Sequence, residues 1–213
     1  FSIEEVQTWL DRIAALRVVV VGETIIDVYT QCEALGKASK DPVLCFSRGP
    51  SVSHAGGILA VAGHSAGLGA ATTVVTGINH RNHDDPELGL LRQRGVDLHS
   101  VDVDPLPTIR KERLIDNRTG ARVLEIYDMD DSPLPPKAEQ DFSQAIRDAA
   151  IDADVVIVAD YGHGLISDAS IHALTDLPLF LAVNTQVNAG NKGFNSVSRY
   201  PRADFVTLNG LEA

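Results

Sequence analysis

Cysteine, basic charge, long apolar runs and the common nucleotide-binding glycine patterns are all scarce or missing in this sequence. The two cysteines, Cys32 and Cys45, lack metal-ligand spacing and are too few for a disulfide framework, which points to a reducing compartment, the cytoplasm. A bridge between them would need their two strands to lie side by side. Lys and Arg total 18 against 29 Asp and Glu, for a net charge of -11 and a pI near 4.9. That balance disfavours a nucleic-acid partner, which needs a basic face; the acidity itself reads as solubility. No apolar run approaches the roughly 18 residues that cross a bilayer. The opening stretch FSIEEVQTWLDRIAAL carries Glu4, Glu5 and Asp11 with no basic region ahead of them, unlike a signal peptide. There is no G-x-x-x-x-G-K-[ST] loop, no G-x-S-x-G, and no complete G-x-G-x-x-G, since GLG at 67–69 and GHG at 162–164 lack the third glycine. Hydrolase and dinucleotide-oxidoreductase readings lose their footing with those motifs. The chain starts at Phe1 rather than a methionine, so trimming at either end stays open.

What is present is an ordinary globular composition, 44% apolar and 22% charged, in 213 residues. That is enough for one large domain, or one domain with a small appendage. Ser2 followed by Glu5 forms a capping-box signature, with Val6, Leu10, Ile13 and Leu16 on one helical face. RVVVVG at 17–22 is a continuous β-branched run of the kind buried on both faces of a parallel sheet, and DVVIVAD at 154–160 is a second. Between them lie a Gly- and Ala-rich helical pattern at 56–69, the strand ATTVVTGI, a helix opened by Pro86 and closed by Gly95, and the strand VDLHSVDV. A proline-led helix precedes the second buried strand, and LPLFLAVN and ADFVTLN read as two more strands. Strands alternating with helices predict a parallel α/β sheet. Two pieces break the alternation: VYTQCEAL with PVLCFSR around 28–48, and the hairpin pattern TIRKERLI–DNRTG–ARVLEIYD around 106–130. They read as a minor β-layer over one edge.

Ligands in open α/β sheets bind beyond the carboxyl ends of the strands, which singles out three loops. VGETIID places Asp27 five residues after Gly22, where an ionised carboxylate offers several acceptor sites to sugar hydroxyls; a solvated turn Asp is an equal reading of that residue alone. Gly56-Gly57 opens a helix whose amides face a ligand or simply a tight turn, with His54 and His64 flanking it as packed histidines. VADYGHGLIS puts Asp160, Gly162, His163 and Gly164 directly after a buried strand. His80, His83, Asp84 and Asp85 look like a metal cluster, but His-x-x-His is not the i, i+4 spacing that sets two ligands on one helix face. The sequon at Asn117 reads as a turn.

In order and spacing these loops resemble the ribokinase-like carbohydrate kinases, the phosphofructokinase-B family, from about Arg17 to the last residue. VVVVGETIID resembles the family's first strand with its G-[DE]-x-x-x-D ending, and AGGILAVAGHSAGLGA its Gly-Gly helix. LPTIRKERLI and ARVLEIYDMD resemble a pair of lid strands. DVVIVADYGHGLIS is similar to the D-Y-G-x-G segment of heptose-phosphate kinases, and AVNTQVNAGNKGFN and YPRADFVTLNGLEA resemble a branch in which such a kinase is joined to a nucleotidyltransferase. NGLE at the end matches the family's N-x-x-E motif.

The resemblance implies a Rossmann-type, mostly parallel sheet flanked by helices, formed by 1–27, 50–105 and 131–213, with a small β lid from 28–49 and 106–130. It implies phosphorylation of a sugar or sugar phosphate with ATP as co-substrate and Mg2+, and a homodimer formed through the lid. Asp27, Gly56, Gly57 and Asp160 would hold the sugar, and Lys111 and Arg113 would close over it, although exposed basic lid residues would read the same way. Asn184, Asn209 and Glu212 would organise nucleotide and magnesium, with no separate protein metal site. The family's catalytic Asp and anion hole would lie beyond Ala213. Three departures stand out: Ala60 occupies the place of a sugar-contacting Asn, and Asn184 and Gln186 occupy an acidic and a basic position of a D-P-K segment. They support an alternative, a catalytically silent sugar-binding or regulatory domain.

Overall fold

The computed structural model describes residues 1–187, 195–210 and 212. Strand β1 (Arg17–Gly22) is the middle of the main sheet. Its valines explain the unbroken apolar run: Val19 and Val21 enter one core, Val18 and Val20 the other. The remaining main strands are β4 (Ala71–Ile78), β5 (Asp97–Asp102), β8 (Val155–Asp160), β9 (Phe180–Thr185) and β10 (Phe205–Thr207). The order is β10-β9-β8-β1-β4-β5, and every pairing is parallel. Chain order thus reverses on either side of β1, a switch point that opens a crevice at the carboxyl ends of its neighbours.

Helices cover both faces. On one side lie α4 (Pro136–Ala150) and α5 (Asp168–Thr175). Ala138, Phe142, Ile146 and Ala150 recur every four residues on α4, and all four are buried; full burial of a side chain such as Phe142 is worth about 1.5–3 kcal/mol. On the other side lie α2 (Ile58–Gly67) and α3 (Pro86–Gln93), which bring Ile58, Leu59, Leu88 and Leu91 onto Val18, Val20 and Val74. Gly95, with φ 79°, ends the turn after α3.

The N-terminal helix α1 (Ile3–Ala14) has the expected capping box: Ser2 Oγ accepts from the Glu5 amide at 3.1 Å and Glu5 Oε2 from the Ser2 amide at 2.7 Å. Its apolar face reaches the core only at the far end, through Ile13 and Leu16. Val6 and Leu10 are exposed, against the sequence expectation, and Trp9 makes an edge contact with Phe1.

The second sheet is four-stranded, in the order β3-β2-β6-β7. Strands β2 (Thr24–Lys37) and β3 (Leu44–Gly57) are each 14 residues long, far longer than their polar middles suggest, while β6 (Ile109–Asp116) and β7 (Arg122–Asp128) form the expected hairpin. Asp27, Gly56 and Gly57 therefore sit on strands of this second sheet rather than in loops. Cys32 faces Arg48 across the β2–β3 ladder and Cys45 faces Gly36, so the thiols are out of register for a bridge, and both are free. No helix among the described residues is long and apolar enough to cross a membrane.

Candidate active site

Two buried carboxylates stand where β1 and β8 end. Gly22 is required there, since a Cβ would lie 2.2 Å from the Ala159 carbonyl oxygen of β8. The next residue, Glu23, is buried and takes the amides of Tyr161 at 3.0 Å and His163 at 3.2 Å on its two oxygens. Asp160 accepts from the Gly162 amide at 2.9 Å, Asn195 Nδ2 at 3.0 Å and the Tyr200 hydroxyl at 2.8 Å. Burial first, and the Asp160 charge second, push the Glu23 carboxyl up to about 8 despite its two amide donors. Of these side chains the sequence singles out Asp160, and not Glu23, Asn195 or Tyr200. Glu23 was within reach, being the acidic member of G-[DE]-x-x-x-D; Asn195 and Tyr200 arrive from 35 and 40 residues downstream and carry no local signal.

Opposite these carboxylates is one face of the second sheet. Alternation along the strands puts Asp27 and Tyr29 of β2, Lys111 and Arg113 of β6, and Glu125 and Tyr127 of β7 on the same side, because Asp27 pairs with Lys111 and Tyr29 with Arg113, and those pair in turn with Tyr127 and Glu125. Arg113 Nη1 donates to Asp27 Oδ1 at 2.5 Å. Its Nε lies 3.4 Å from Glu125 Oε1, an ion-pair distance without hydrogen-bond geometry. The guanidinium carbon is 5.4 Å from the centre of the Tyr29 ring, and Lys111 Nζ is 5.3 Å from that of Tyr127. Gly56 exists to admit Asp27: a Cβ would fall 2.1 Å from Asp27 Oδ2. Gly57, with φ 54°, turns the chain into α2, and a Cβ there would fall 2.4 Å from the Glu23 carbonyl oxygen. Asp27, Gly56, Gly57, Lys111 and Arg113 thus form one continuous cluster.

This cluster touches the loop after β8 through Lys111, whose Nζ lies 2.9 Å from His163 Nε2. His163 Nδ1 lies 2.8 Å from Asp131 Oδ1. Burial is the main cause that lowers the Lys111 pKa, with Arg113 adding to it and Asp27, Glu23 and Asp131 opposing it. Burial likewise lowers His163, reinforced by Lys111 and opposed by Asp131 and Asp160. A cavity of about 30 Å³ opens between Glu23, Thr24, Thr108, His163 and Leu165, room for one or two waters among polar partners.

The residues expected at the nucleotide end lie apart from this cluster, at the carboxyl ends of β9 and β10. Asn184 Nδ2 donates to the Thr207 carbonyl at 2.7 Å, and Asn184 Oδ1 accepts from Gln186 Nε2 at 3.0 Å. Asn184 and Gln186 are therefore bonded to each other. Strand register carries this end back to the end of β8, since Asn184 pairs with Ala159 and Thr185 with Asp160. The Asn209 amide donates to Glu212 Oε2 at 2.9 Å. Ala60 sits half-buried on α2, beyond Gly57. Among the described residues no group of three or more His, Cys, Asp or Glu is arranged to hold a metal; His80 instead lies 3.5 Å from Asp102, and the His54 ring packs edge-on at 5.7 Å from Tyr29.

No family model matches the chain. It is 25% identical over 206 residues to the bifunctional protein HldE of Hyphomonas neptunium, covering 95% of this chain and 41% of that protein. It is 27% identical over 195 residues to the protein of the same name from a Marinomonas species, covering 92% and 39%. The chain thus spans about two fifths of the length of the curated relatives it matches. Among solved structures, the tetrameric inhibited form of phosphofructokinase-2 from Escherichia coli superposes with a TM-score of 0.59 at 13% identity, over 80% of this chain and 55% of that one. Arabidopsis thaliana ribokinase, complexed with ribose and ATP, superposes with a TM-score of 0.50 at 17% identity, over 80% and 53%.

Proposed function

We propose that this chain, which has the fold of the ribokinase-like carbohydrate kinases, is the sugar-binding, N-terminal part of an enzyme that transfers phosphate from ATP to a sugar or sugar phosphate. The observation that carries this reading is the joining of Asp27, Gly56, Lys111 and Arg113 on one lid face, closed onto the Asp160 loop by the Lys111–His163 contact. A carboxylate that accepts from hydroxyls and two cations that meet an anionic group are the complement of a phosphorylated sugar. The relatives support the kinase reading over a silent sugar-binding domain.

In this reading Asp27 accepts from sugar hydroxyls, and the glycines at 56 and 57 let the backbone approach the ring. Asp160, buried with its oxygens taken by Gly162, Asn195 and Tyr200, holds the loop beneath the substrate rather than touching it. Lys111 and Arg113 close over the outer end of the substrate. Asn184, Asn209 and Glu212 line the route to the nucleotide; their amide and carboxylate oxygens are the hard donors that Mg2+ takes. Magnesium, when bound, neutralises charge building up on the transferring phosphoryl group. Proton abstraction and the anion hole are assigned to a portion beyond Ala213, in keeping with the span of the relatives. The opposite lid face, with Leu124 and Ile126 exposed beside Glu112 and Arg48, is the surface through which two copies pair. The protein acts in the cytoplasm.

Calorimetric titration with ribose, fructose 6-phosphate and sedoheptulose 7-phosphate tests the reading. At least one sugar is expected to bind, and Asp27→Asn to weaken it by roughly tenfold or more, the factor carried by one charge-assisted hydrogen bond. Binding that is indifferent to Asp27→Asn would sink the assignment.

A further inference from the structure

The His163 side chain is fully enclosed, with 0% of it exposed, and no sugar or nucleotide role falls to it. Its surroundings dictate its protonation. An ammonium group carries three donors and no acceptor, so Lys111 Nζ at 2.9 Å can only donate, and His163 Nε2 must accept. The proton of the neutral ring then sits on Nδ1, which donates to Asp131 Oδ1 at 2.8 Å. The resulting chain, carboxylate to imidazole to ammonium, has a donor facing an acceptor at both of its links and the negative end anchored in the segment after β7. The backbone holds it there. The His163 amide is fixed on Glu23, and Gly164, at φ 88°, brings the loop so close to the 131–132 segment that a Cβ would lie 2.8 Å from the Ser132 carbonyl oxygen and 3.1 Å from that of Asp131.

We infer that His163 and Asp131 are positioning residues for Lys111: the Asp131 carboxylate fixes the Nδ1–H tautomer of His163, whose Nε2 then holds the Lys111 ammonium charged and aimed at the substrate. The inference rests on the reading of Lys111 as a substrate contact, and adds two residues that no binding motif marks. The groups that act on Lys111 are Asp27 on β2, Arg113 on its own strand, Tyr127 on β7, Glu23 after β1 and Asp131. Those that act on His163 are Lys111, Asp131, Asp160 and, through its amide, Glu23. Asp131 is the one carboxylate within hydrogen-bond reach of the ring among the described residues. Replacing it with a neutral amide leaves the packing nearly unchanged and removes the charge.

The test uses nuclear magnetic resonance on the whole chain. Nitrogen shifts of His163 report its tautomer, and carbon and nitrogen shifts at Lys Cε and Nζ report the titration midpoint of Lys111. Wild type is expected to show the Nδ1–H tautomer. Asp131→Asn is expected to lower the Lys111 midpoint and to weaken sedoheptulose 7-phosphate roughly tenfold while leaving neutral sedoheptulose within about twofold. In a Lys111→Gln background, Asp131→Asn should add nothing. An Nε2–H tautomer in the wild type, or a Lys111 midpoint unmoved by Asp131→Asn, would overturn the inference, as would equal weakening of both sugars. If neither sugar binds the wild type, the substrate reading of Lys111 falls, and the tautomer and midpoint alone decide the positioning.

Discussion

Replacing Arg113 by Gln isolates the ion pair that ties the two central lid strands together at the site. Arg113 and Asp27 meet at 2.5 Å with only 16% and 23% of their side chains exposed, so the pair lies between the surface and the buried regimes. Exposed pairs are worth about 0–1 kcal/mol, whereas breaking a buried pair costs about 3–5 kcal/mol because one charge is left uncompensated. Partial burial, a single short hydrogen bond and the looser Glu125 contact place the expected loss near 2 kcal/mol. For a chain of this size that lowers the melting temperature by roughly 4–8 °C. Urea and thermal unfolding of wild type, Arg113→Gln, Asp27→Asn and the double variant form a cycle that separates the pair from the packing of either side chain. The double variant is expected to lose less than the sum of the singles, with a coupling of about 1 kcal/mol or more. Strict additivity, within about 0.5 kcal/mol, would refute the reasoning that these residues satisfy one another when no substrate is present.

Three further outcomes follow from the same geometry. Glu23 has its pKa raised from 4.5 to about 8 by folding, so the folded state binds the extra proton. Its contribution is intact below about pH 4.5 and is lost as pH rises to about 8; urea midpoints should show that slope in wild type and lose it in Glu23→Gln, and an identical slope in both would assign it elsewhere. Gly56→Ala forces a methyl to 2.1 Å from Asp27 Oδ2, and is expected to cost about 1–3 kcal/mol by overpacking and to displace Asp27, seen as loss of sugar binding in calorimetry. Phe142→Ala, at the centre of the α4 stripe, should cost about 3–5 kcal/mol in denaturant unfolding without moving the titrations of Lys111 or His163.

The main sheet was legible because each of its strands reports its own environment. RVVVVG has no polar face, and the structure buries alternate valines in two separate cores. The second sheet was legible as strands apart from the main sheet but not in extent, since β2 and β3 begin and end in residues that read as loops, and only the ladder from Thr24↔Gly57 to Lys37↔Leu44 reveals their length. Helix α1 misled, because its periodicity promises a buried face that the fold covers only at Ile13 and Leu16. Helix α5 went unread: it is eight residues long, and its capping box closes with Ser170 rather than an acid. At the site, Asp160 closes β8, Gly56 and Gly57 close β3 ahead of α2, and Asp27 comes five residues after β1, so all four carry a positional signal. The Asp131–His163–Lys111 chain does not, since its members come from three segments 20 and 32 residues apart that only the folded loop at Gly164 brings together.

The proposed function seats a sugar or its phosphate ester between the Asp27–Lys111–Arg113 face and the ends of β1 and β8. Amide shift mapping on the nitrogen-labelled chain, titrated with sedoheptulose 7-phosphate, addresses it most directly. The largest changes are expected at Asp27, Gly56, Gly57, Lys111, Arg113 and the loop after Asp160, and they should disappear in Asp27→Asn. Changes centred at the opposite end of the sheet, around Arg17, Ala71 and Asp154, would contradict that placement.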